Sequence, residues 1–472
     1  MYLDIEKDNN ITLTKQLYNQ IKEKILTGDL SSNQKLLSSR KLAGDLGISR
    51  NVVLDAYNQL IAEGYLYSKD RSGLFVSKGT QLNVPQDSYF KMQNNIIGLQ
   101  YEPKCNAIDF RTGIPNLVIF PKEKWGKIYR QVCMDLPVSH LDYYEPRGCY
   151  ELRQQLTSYL SRVRGVKCSP EQILITNGAA QGFNLLVKYF SKINKKVLVE
   201  DPLSSGITKI LKYFEMNVIT INVDKQGIRT DHLQEDQYNN INPSLIFTTP
   251  SHQFPTGGVL PINRRIQLVN YARVHNSYIV EDDYDSEFRY EGYPIASMQS
   301  LAPENIIYIG TFTKMLFPAL RIGYMVIPKK LIPKMMEAKY IGDLHSPILD
   351  QLTLARFIEC GLLHRHVEIS RKHYSKKCKF LINKLKESFG DTINIFGHTG
   401  GIHLMVQFKT SIITDDLLIE LKNKGVFIKP ANEHQIKNNT YSNCLLFGFG
   451  NTPEDKIEEG IIIIKNIIAK NK

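Results

Sequence analysis

The chain has 472 residues, of which 42% are hydrophobic and 22% are charged, and it carries a net charge of +12. Its length predicts about three domains, and its composition is that of a globular protein, which excludes a disordered or collagen-like chain. The acidic, polar start is not a signal peptide, and no apolar run reaches the roughly 18 residues that cross a bilayer.

The seven cysteines are scattered and form no CxxC pair. This usage favours a reducing compartment over a disulfide framework, so we expect a cytoplasmic protein without a membrane partner. The positive charge does not by itself indicate nucleic-acid binding, because residues 1–80 hold 11 Lys and Arg against 9 Asp and Glu. A prediction of DNA binding must therefore rest on sequence pattern.

Two helices are predicted at the start of the chain. In "LTKQLYNQIKEKILTGDL", Leu17, Ile21 and Ile25 recur at helical spacing, with Thr14 as the expected N-cap. A shorter helix follows in "SSRKLAGDLG", which opens on a serine and ends at a glycine.

A third helix and a hairpin come next. "ISRNVVLDAYNQLIAEGY" predicts a helix from Ser49 to Gly64. Its expected inward residues are Val52, Val53, Ala56, Leu60 and Ile61. "YLYSKDRSGLFVSK" predicts two short strands about a polar turn.

This order of elements is that of a winged helix-turn-helix, in which the N-terminal residues of the second helix of the pair meet bases in the major groove. Here those residues are Ser49, Arg50 and Asn51. Arg50 suits guanine and Asn51 suits adenine. Phosphate contacts are expected from Arg40, Lys69 and Arg71.

Periodicity alone would also fit a small dimerisation domain. The segment "LLSSRKLAGDLGISRNVVLDAYNQLIAEGYLYSKDRSGLFV" nevertheless resembles the GntR family of bacterial regulators across nearly all of this element. Leu37 replaces the proline that is usual in that family. The resemblance implies a DNA-binding domain over residues 1–78, with a double-stranded DNA operator as partner.

Residues 79–106 lack clear periodicity and predict a polar linker. Beyond it, short apolar runs such as "QILIT", "KVLVED", "SLIFTTP", "SYIVEDD" and "IIYIGTF" alternate with helical stretches. This alternation predicts an α/β fold with a mostly parallel sheet and crossover helices. Ligands of such sheets gather at the carboxyl ends of the strands.

A lysine in an apolar run marks one of these strand ends. "YIGTFTKMLFPALRIGY" carries Lys314, flanked by Thr311, Thr313 and Arg321. A lysine in a partly dry site loses its proton readily, and the neutral amine forms a Schiff base with an aldehyde such as pyridoxal 5′-phosphate. The two hydroxyls, the arginine and the helix that opens in "NGAAQGF" suit the phosphate of that cofactor.

The segment "VEDDYD" supplies the other groups that this cofactor needs. A carboxylate must keep the pyridine nitrogen protonated, and we predict Asp282 for this role, with Asp283 as the alternative. Tyr284 is a donor to the phenolic oxygen. Each feature has an ordinary explanation alone, but together four strand ends each offer one part of a single binding set. We predict no metal site.

The region from about 107 to 470 resembles a fold-type-I aminotransferase, and the whole chain resembles the MocR subfamily of GntR regulators. The matching stretches include "YYEPRGCYELR", "TNGAAQG", "TTPSHQFPTGGVLP", "VEDDYDSEF" and "GTFTKMLFPALRIGY". The resemblance implies a domain over residues 107–472 with a large, mostly parallel sheet and a smaller α+β C-terminal subdomain. It further implies that Lys314 carries the internal aldimine. By the same resemblance, Asp282 is expected to pair with the pyridinium and Tyr284 to meet the ring oxygen, with the phosphate held by Ala179, Ala180, Thr311, Thr313 and Arg321. The resemblance also implies that Tyr143 reaches the neighbouring subunit's phosphate in a homodimer.

The chain departs from the pattern where the substrate carboxylate is usually held. Ser204 and Thr208 follow "EDP", and Leu446 stands in the strand where many aminotransferases carry an arginine. Arg111 and Arg147 are alternative carboxylate ligands. We therefore predict a pyridoxal-phosphate-dependent DNA-binding regulator that senses the cofactor or an amino acid such as 4-aminobutyrate. The alternative is a working aminotransferase with a DNA-binding appendage.

Overall fold

The computed structural model describes residues 3–6, 11–70, 72–81, 107–437 and 439–470. The chain forms two compact units, Met1–Glu102 and Pro103–Lys472. Most of the predicted linker, residues 82–106, lies outside the described residues. Within those residues, every helix is too short or too polar to cross a membrane.

Unit 1 is a three-helix element closed by a hairpin. Its described elements are α1 (Leu13–Leu26), α2 (Ser39–Leu46), α3 (Arg50–Ala62), β1 (Leu66–Lys69) and β2 (Gly73–Val76). The strands are antiparallel. Serines cap α2 and α3, with Ser38 and Ser49 accepting from backbone N–H groups one turn on. The expected cap of α1 was wrong: Thr12 accepts from the Lys15 N–H, and Thr14 lies inside the helix.

The core of unit 1 lies between α1 and α3. Leu17, Ile21 and Ile25 are fully buried against the inner face of α3. On that helix Val52, which was expected to point inward, is only half-buried. Tyr57 is buried instead, and its hydroxyl donates to the Leu37 carbonyl at 3.0 Å. This bond fixes the segment that leads into α2.

Unit 2 contains the larger α/β structure. Its helices are α4 (Lys122–Asp135), α5 (Tyr150–Arg164), α6 (Ala179–Phe190), α7 (Ser205–Tyr213), α8 (Asp236–Asn239), α9 (Ile262–Val274), α10 (Ile332–Asp343), α11 (Ile348–Glu359), α12 (Leu362–Phe389), α13 (Asp415–Asn423) and α14 (Glu454–Lys470). Its strands are β3 (Ile108–Asp109), β4 (Ile173–Thr176), β5 (Lys196–Asp201), β6 (Asn217–Asp224), β7 (Gly227–Ile228), β8 (Leu245–Thr248), β9 (Tyr278–Asp283), β10 (Ile306–Thr311), β11 (Gly323–Val326), β12 (Ile393–Phe396), β13 (His403–Phe408), β14 (Val426–Phe427), β15 (Lys429–Pro430) and β16 (Cys444–Gly448).

The main sheet has the order β4-β11-β10-β9-β8-β5-β6-β7 among the described strands. The central strands β10, β9, β8, β5 and β6 are parallel, whereas β11 is antiparallel to both of its neighbours. Apolar side chains cover both faces of the sheet, including those of α6 and α7 on one side and α9 on the other. The predicted fold class is confirmed.

A second, antiparallel sheet of order β12-β13-β16-β15 forms the smaller C-terminal subdomain. The helices α12 and α14 pack together against it through apolar side chains. The short strand β3 is parallel to β14, and the Ile108 N–H donates to the Gly425 carbonyl at 2.9 Å. The first described segment of unit 2 is thereby bonded to the C-terminal subdomain.

Candidate cofactor and DNA-binding sites

A cavity of about 410 Å³ lies at the carboxyl ends of β9 and β10. It brings together most of the residues predicted to hold a cofactor. Those in its lining are Ala179, Ala180, Asp282, Tyr284, Thr311, Thr313, Lys314 and Arg321. Parallel strands end at one edge of a sheet, and this places groups from distant parts of the sequence side by side.

Lys314 follows β10 and points into this cavity. Its Nζ donates to the Gly113 carbonyl at 2.8 Å. Burial lowers the pKa of Lys314, and Arg321 lowers it further, while Asp285 and Asp282 act in the opposite direction. The side chain therefore releases its proton more easily than an exposed lysine, as a nucleophilic amine requires.

Gly113 makes the approach of Lys314 possible. Its φ is +82°, a region that favours glycine, and a Cβ there would collide with Nζ and lie 3.1 Å from Cε of Lys314. Gly113 lines the same cavity. The sequence reasoning passed over it, although it is the glycine of the segment "FRTGIP".

Asp282 and Asp283 have different surroundings although they are adjacent. Asp283 faces away from the cavity, where it forms an ion pair with Arg164 at 2.7 Å and accepts from the Tyr308 hydroxyl at 2.6 Å. Asp282 lines the cavity, and its carboxylate makes no hydrogen bond or ion pair to the described residues. Burial, together with the charges of Asp283 and Asp285, raises the pKa of Asp282 to about 8. Such a carboxylate is suited to a cationic partner.

Tyr284 is held by a buried histidine and carboxylate. Its hydroxyl donates to the His252 carbonyl at 3.0 Å and lies 3.1 Å from His252 Nδ1. His252 Nδ1 is also 3.0 Å from Asp285 Oδ1. Burial would lower the pKa of His252, but Asp285 outweighs it and the pKa is raised. His252, Asp285 and His403 form one buried cluster, in which a ring nitrogen of each histidine and a carboxylate oxygen of Asp285 lie within 4.8 Å of one another.

One end of the cavity has the donors that a phosphate needs. The helix α6 begins after Gly178, which offers no side-chain cap to the first N–H groups, and its first residues Ala179 and Ala180 line the cavity. A Cβ at Gly323 would lie 2.8 Å from the Ala179 nitrogen, so only glycine allows β11 to approach this helix. Arg321 then reaches the same end and donates to the Asn177 carbonyl at 2.9 Å.

Thr311 and Thr313 complete this end. The Thr311 and Thr313 hydroxyls are 2.9 Å apart, and the Thr313 N–H donates to the Thr311 hydroxyl. Helix N–H groups, hydroxyls and a guanidinium are the usual ligands of a phosphate dianion. The residues present therefore fit pyridoxal phosphate at both ends.

The opposite wall was found only in part from the sequence. It includes Ser204, which the sequence placed near the substrate carboxylate, and Phe254, His403 and His434, which were not predicted. Burial lowers the pKa of His403 to about 3 and that of His434 to about 4. His434 Nδ1 accepts from the Ser205 N–H at 3.0 Å, a contact across 229 residues that a local motif does not show.

The alternative carboxylate ligands lie outside this cavity. Arg111 forms an ion pair with Asp109 at 2.6 Å, and Arg147 pairs with Glu145. Leu446 is fully buried beside Phe254. Tyr143 is also outside the lining, and its side chain is 82% exposed.

The predicted DNA-binding residues are distributed over α2, the start of α3 and β1 of unit 1. Arg40, Arg50, Asn51 and Lys69 are exposed, and Arg50 Nε donates to the Ser39 hydroxyl at 3.3 Å. Ser49 is exposed and caps α3. Arg71 lies outside the described residues.

Comparison with known proteins links both sites to families. Residues 13–76 match "Bacterial regulatory proteins, gntR family", and residues 137–462 match "Aminotransferase class I and II". An uncharacterized HTH-type transcriptional regulator, YdeL of Bacillus subtilis, is 36% identical over 97% of this chain and 96% of its own length. The HTH-type pyridoxine biosynthesis transcriptional regulator PdxR of Corynebacterium glutamicum is 29% identical over 96% of this chain and 95% of its own.

A solved structure matches the larger part of the chain. Kynurenine aminotransferase from Pyrococcus horikoshii, determined with PMP, is 27% identical with a TM-score of 0.72. The match covers 78% of this chain and 92% of the aminotransferase.

Proposed function

The chain belongs to the MocR subfamily of GntR-type regulators, and on that premise we propose that pyridoxal 5′-phosphate sets its affinity for DNA. It is a DNA-binding transcriptional regulator with an aminotransferase-like domain, and its cofactor is pyridoxal 5′-phosphate. The observation that carries the proposal is the single cavity containing Lys314, Asp282 and the phosphate-binding end. In this proposal residues 1–78 bind DNA, residues 107–472 bind the cofactor, and residues 79–106 link the two domains. The protein acts in the cytoplasm.

Different side chains of the cavity bind different parts of the cofactor. When bound, pyridoxal phosphate supplies an aldehyde and an electron-accepting ring. Lys314 offers a neutral amine to the aldehyde, and Asp282 holds a proton on the pyridine nitrogen. Tyr284 donates to the ring oxygen, while Thr311, Thr313, Arg321 and the N–H groups of Ala179 and Ala180 bind the phosphate.

The cations of the cavity support the cofactor itself as the signal. Lys314 and Arg321 are the lysine and the arginine in its described lining, and the cofactor uses both. His403 and His434, with pKa values of about 3 and about 4, are neutral near pH 7. An amino-acid carboxylate such as that of 4-aminobutyrate would find no further cation among the described lining residues.

The proposal is tested by titrating cofactor-free protein first with pyridoxal phosphate and then with amino acids. Visible absorbance reports binding, and fluorescence anisotropy reports affinity for DNA from upstream of its own gene. The cofactor alone is expected to change DNA affinity by about 5–150-fold, the usual range of coupling between sites. Lys314→Ala serves as the control without covalent attachment. Unchanged affinity with cofactor, followed by an amino acid that shifts absorbance and affinity together, would refute the proposal.

Tyr143 supports assembly as a homodimer. Its ring is 82% exposed, and the neighbouring Val138 and Leu141 are 83% and 71% exposed. In the dimer, Tyr143 of each subunit reaches the phosphate-binding end of the other. Mixing Lys314→Ala with Tyr143→Ala subunits should then restore one complete site per dimer, with tighter cofactor binding than Tyr143→Ala alone. No gain on mixing would place Tyr143 outside the shared site.

A further inference from the structure

A second cavity, of about 570 Å³, lies between the loop Thr256–Val259 and the strands β12 and β13 of the C-terminal subdomain. None of the residues assigned to the cofactor lines it. Its volume falls in the range of small-molecule sites, roughly 300–1,000 Å³. We call it the Arg289 cavity, after the arginine in its lining.

The Arg289 cavity is positive. Its lining contains the cations Arg289 and Lys225. The acidic side chain in the lining is Asp224, and Arg264 neutralises it through two bonds of 2.8 and 2.7 Å. The cavity therefore keeps a net positive charge and favours an anion.

Arg289 has no partner for its charge within the described part of the chain. Its guanidinium makes no hydrogen bond or ion pair there, and its Nε is buried without an acceptor. Burial lowers the pKa of Arg289, and the exposed Glu291 opposes this from beyond ion-pair distance. The backbone of Arg289 pairs with that of Gly400, so the side chain starts from a fixed position. An unsatisfied buried donor is costly, and a planar guanidinium matches a carboxylate.

The remaining wall of the Arg289 cavity has an apolar part, beside the polar residues Thr256, His398, Thr399, Gln407 and Tyr441. Val259, Ile395, Phe396 and Met405 contribute to the apolar part. A ligand that satisfies Arg289 would therefore place a carboxylate on the guanidinium and an apolar body against these side chains. A small inorganic anion would leave this wall uncovered.

The Arg289 cavity also borders the residues that hold Tyr284. A Cβ at Gly257 would lie 2.9 Å from the Gly397 nitrogen and 3.3 Å from His252 Nε2, so these two loops touch beside His252. Both glycines line the Arg289 cavity. His252 in turn contacts Tyr284, and Tyr284 lines the cofactor cavity, so packed residues connect the two cavities.

We propose that the Arg289 cavity binds an organic carboxylate with an apolar or aromatic body, recognised by Arg289. The occupant is distinct from the cofactor, and its site lies beside the Gly257–Gly397 contact and His252. This site goes beyond the proposed function, because it stands whether or not pyridoxal phosphate is the signal.

Isothermal titration of the full-length protein with benzoate tests this, with benzamide as the neutral probe of the same shape. Wild-type protein should bind benzoate saturably and ignore benzamide. Arg289→Gln should weaken benzoate binding at least tenfold, Arg289→Lys should weaken it less, and both should keep the wild-type melting temperature within a few degrees. Arg273→Gln is the matched control, because Arg273 is an exposed arginine of the same unit that pairs with Glu304.

Equal binding of benzoate by wild type and Arg289→Gln would overturn the proposal, as would binding of benzamide with similar affinity. Absence of saturable benzoate binding at millimolar concentration would overturn it as well. If Arg289→Gln unfolds, Arg289→Lys provides the test. Wild-type affinity for benzoate in Arg289→Lys would show that the guanidinium does not recognise the carboxylate.

Discussion

Replacing Asp282 by asparagine should change stability in opposite directions with and without the cofactor. In cofactor-free protein the pKa of Asp282 is about 8, against 3.8 for an ordinary aspartate. A carboxyl group with a raised pKa binds more protons in the folded state than in the unfolded state. Stability therefore falls as the pH rises from about 4 to about 8, and this loss should disappear in Asp282→Asn.

The size of the effect follows from the two pKa values. Keeping an aspartate of ordinary pKa protonated at pH 7 costs about 4 kcal/mol, at 1.36 kcal/mol per pH unit. Water that enters the cavity reduces this cost, and we expect the cofactor-free variant to gain about 1–3 kcal/mol. With cofactor bound, the variant lacks the partner of a buried cation, a loss of about 3–5 kcal/mol.

Urea unfolding measures this directly. The single tryptophan, Trp125, is 9% exposed in unit 2, so its fluorescence follows the unfolding of the domain that contains Asp282. Wild type and variant are compared at about pH 5 and about pH 8, without and with pyridoxal phosphate. Equal pH dependence in the two cofactor-free proteins would refute the reasoning.

Asp283→Asn is the matched control at the adjacent residue. Asp283 neutralises Arg164, which is only 2% exposed, so its loss leaves a buried guanidinium without its ion-pair partner. The expected destabilisation is about 3–5 kcal/mol with or without cofactor. A gain in stability for Asp283→Asn would instead exchange the roles of the two aspartates.

The remaining predictions concern the covalent site and the DNA contacts. Lys314→Ala should fold and bind DNA but retain no cofactor after borohydride reduction, as peptide mass spectrometry will show; a retained adduct would place the attachment elsewhere. Gly113→Ala should slow or abolish that attachment, because a Cβ there collides with Lys314; wild-type attachment would contradict the observed approach. Arg50→Ala should weaken the free energy of operator binding by about 1–3 kcal/mol and relax the base preference. An equal loss of affinity for operator and random DNA would indicate that Arg50 contacts a phosphate. Lys69→Ala should weaken binding to all DNA sequences alike and reduce the slope of log affinity against log salt concentration by about one unit. A loss of affinity confined to the operator would contradict this.

Much of the cofactor cavity could be predicted because it depends on strand ends. Asp282 stands at the carboxyl end of β9 and Lys314 follows β10, and the geometry of a parallel sheet brings such positions together without knowledge of any contact. The inward face of α3 was predicted less well: Tyr57 is buried on the same i, i+3, i+4, i+7 stripe as Val53 and Leu60 but was not predicted, whereas Val52 is only half-buried.

Contacts between distant segments were not accessible in the same way. The sequence left Asp282 and Asp283 as alternatives because the partner that occupies Asp283, Arg164, lies 119 residues away. Strand β11 was not predicted, because the expected alternation places a helix between parallel strands, whereas β11 follows β10 without an α-helix and is antiparallel to it. Gly113 and His434 reach the cofactor cavity only through tertiary contacts.

The pairing of β3 with β14 links the start of unit 2 to its C-terminal subdomain. Ile108 and Phe110 stand where the chain enters unit 2, and their N–H groups bond to Gly425 and Phe427 of the C-terminal subdomain. A rotation of that subdomain would therefore carry the chain's entry point with it, while the main sheet stays in place. The position of the C-terminal subdomain therefore fixes where the described part of unit 2 begins.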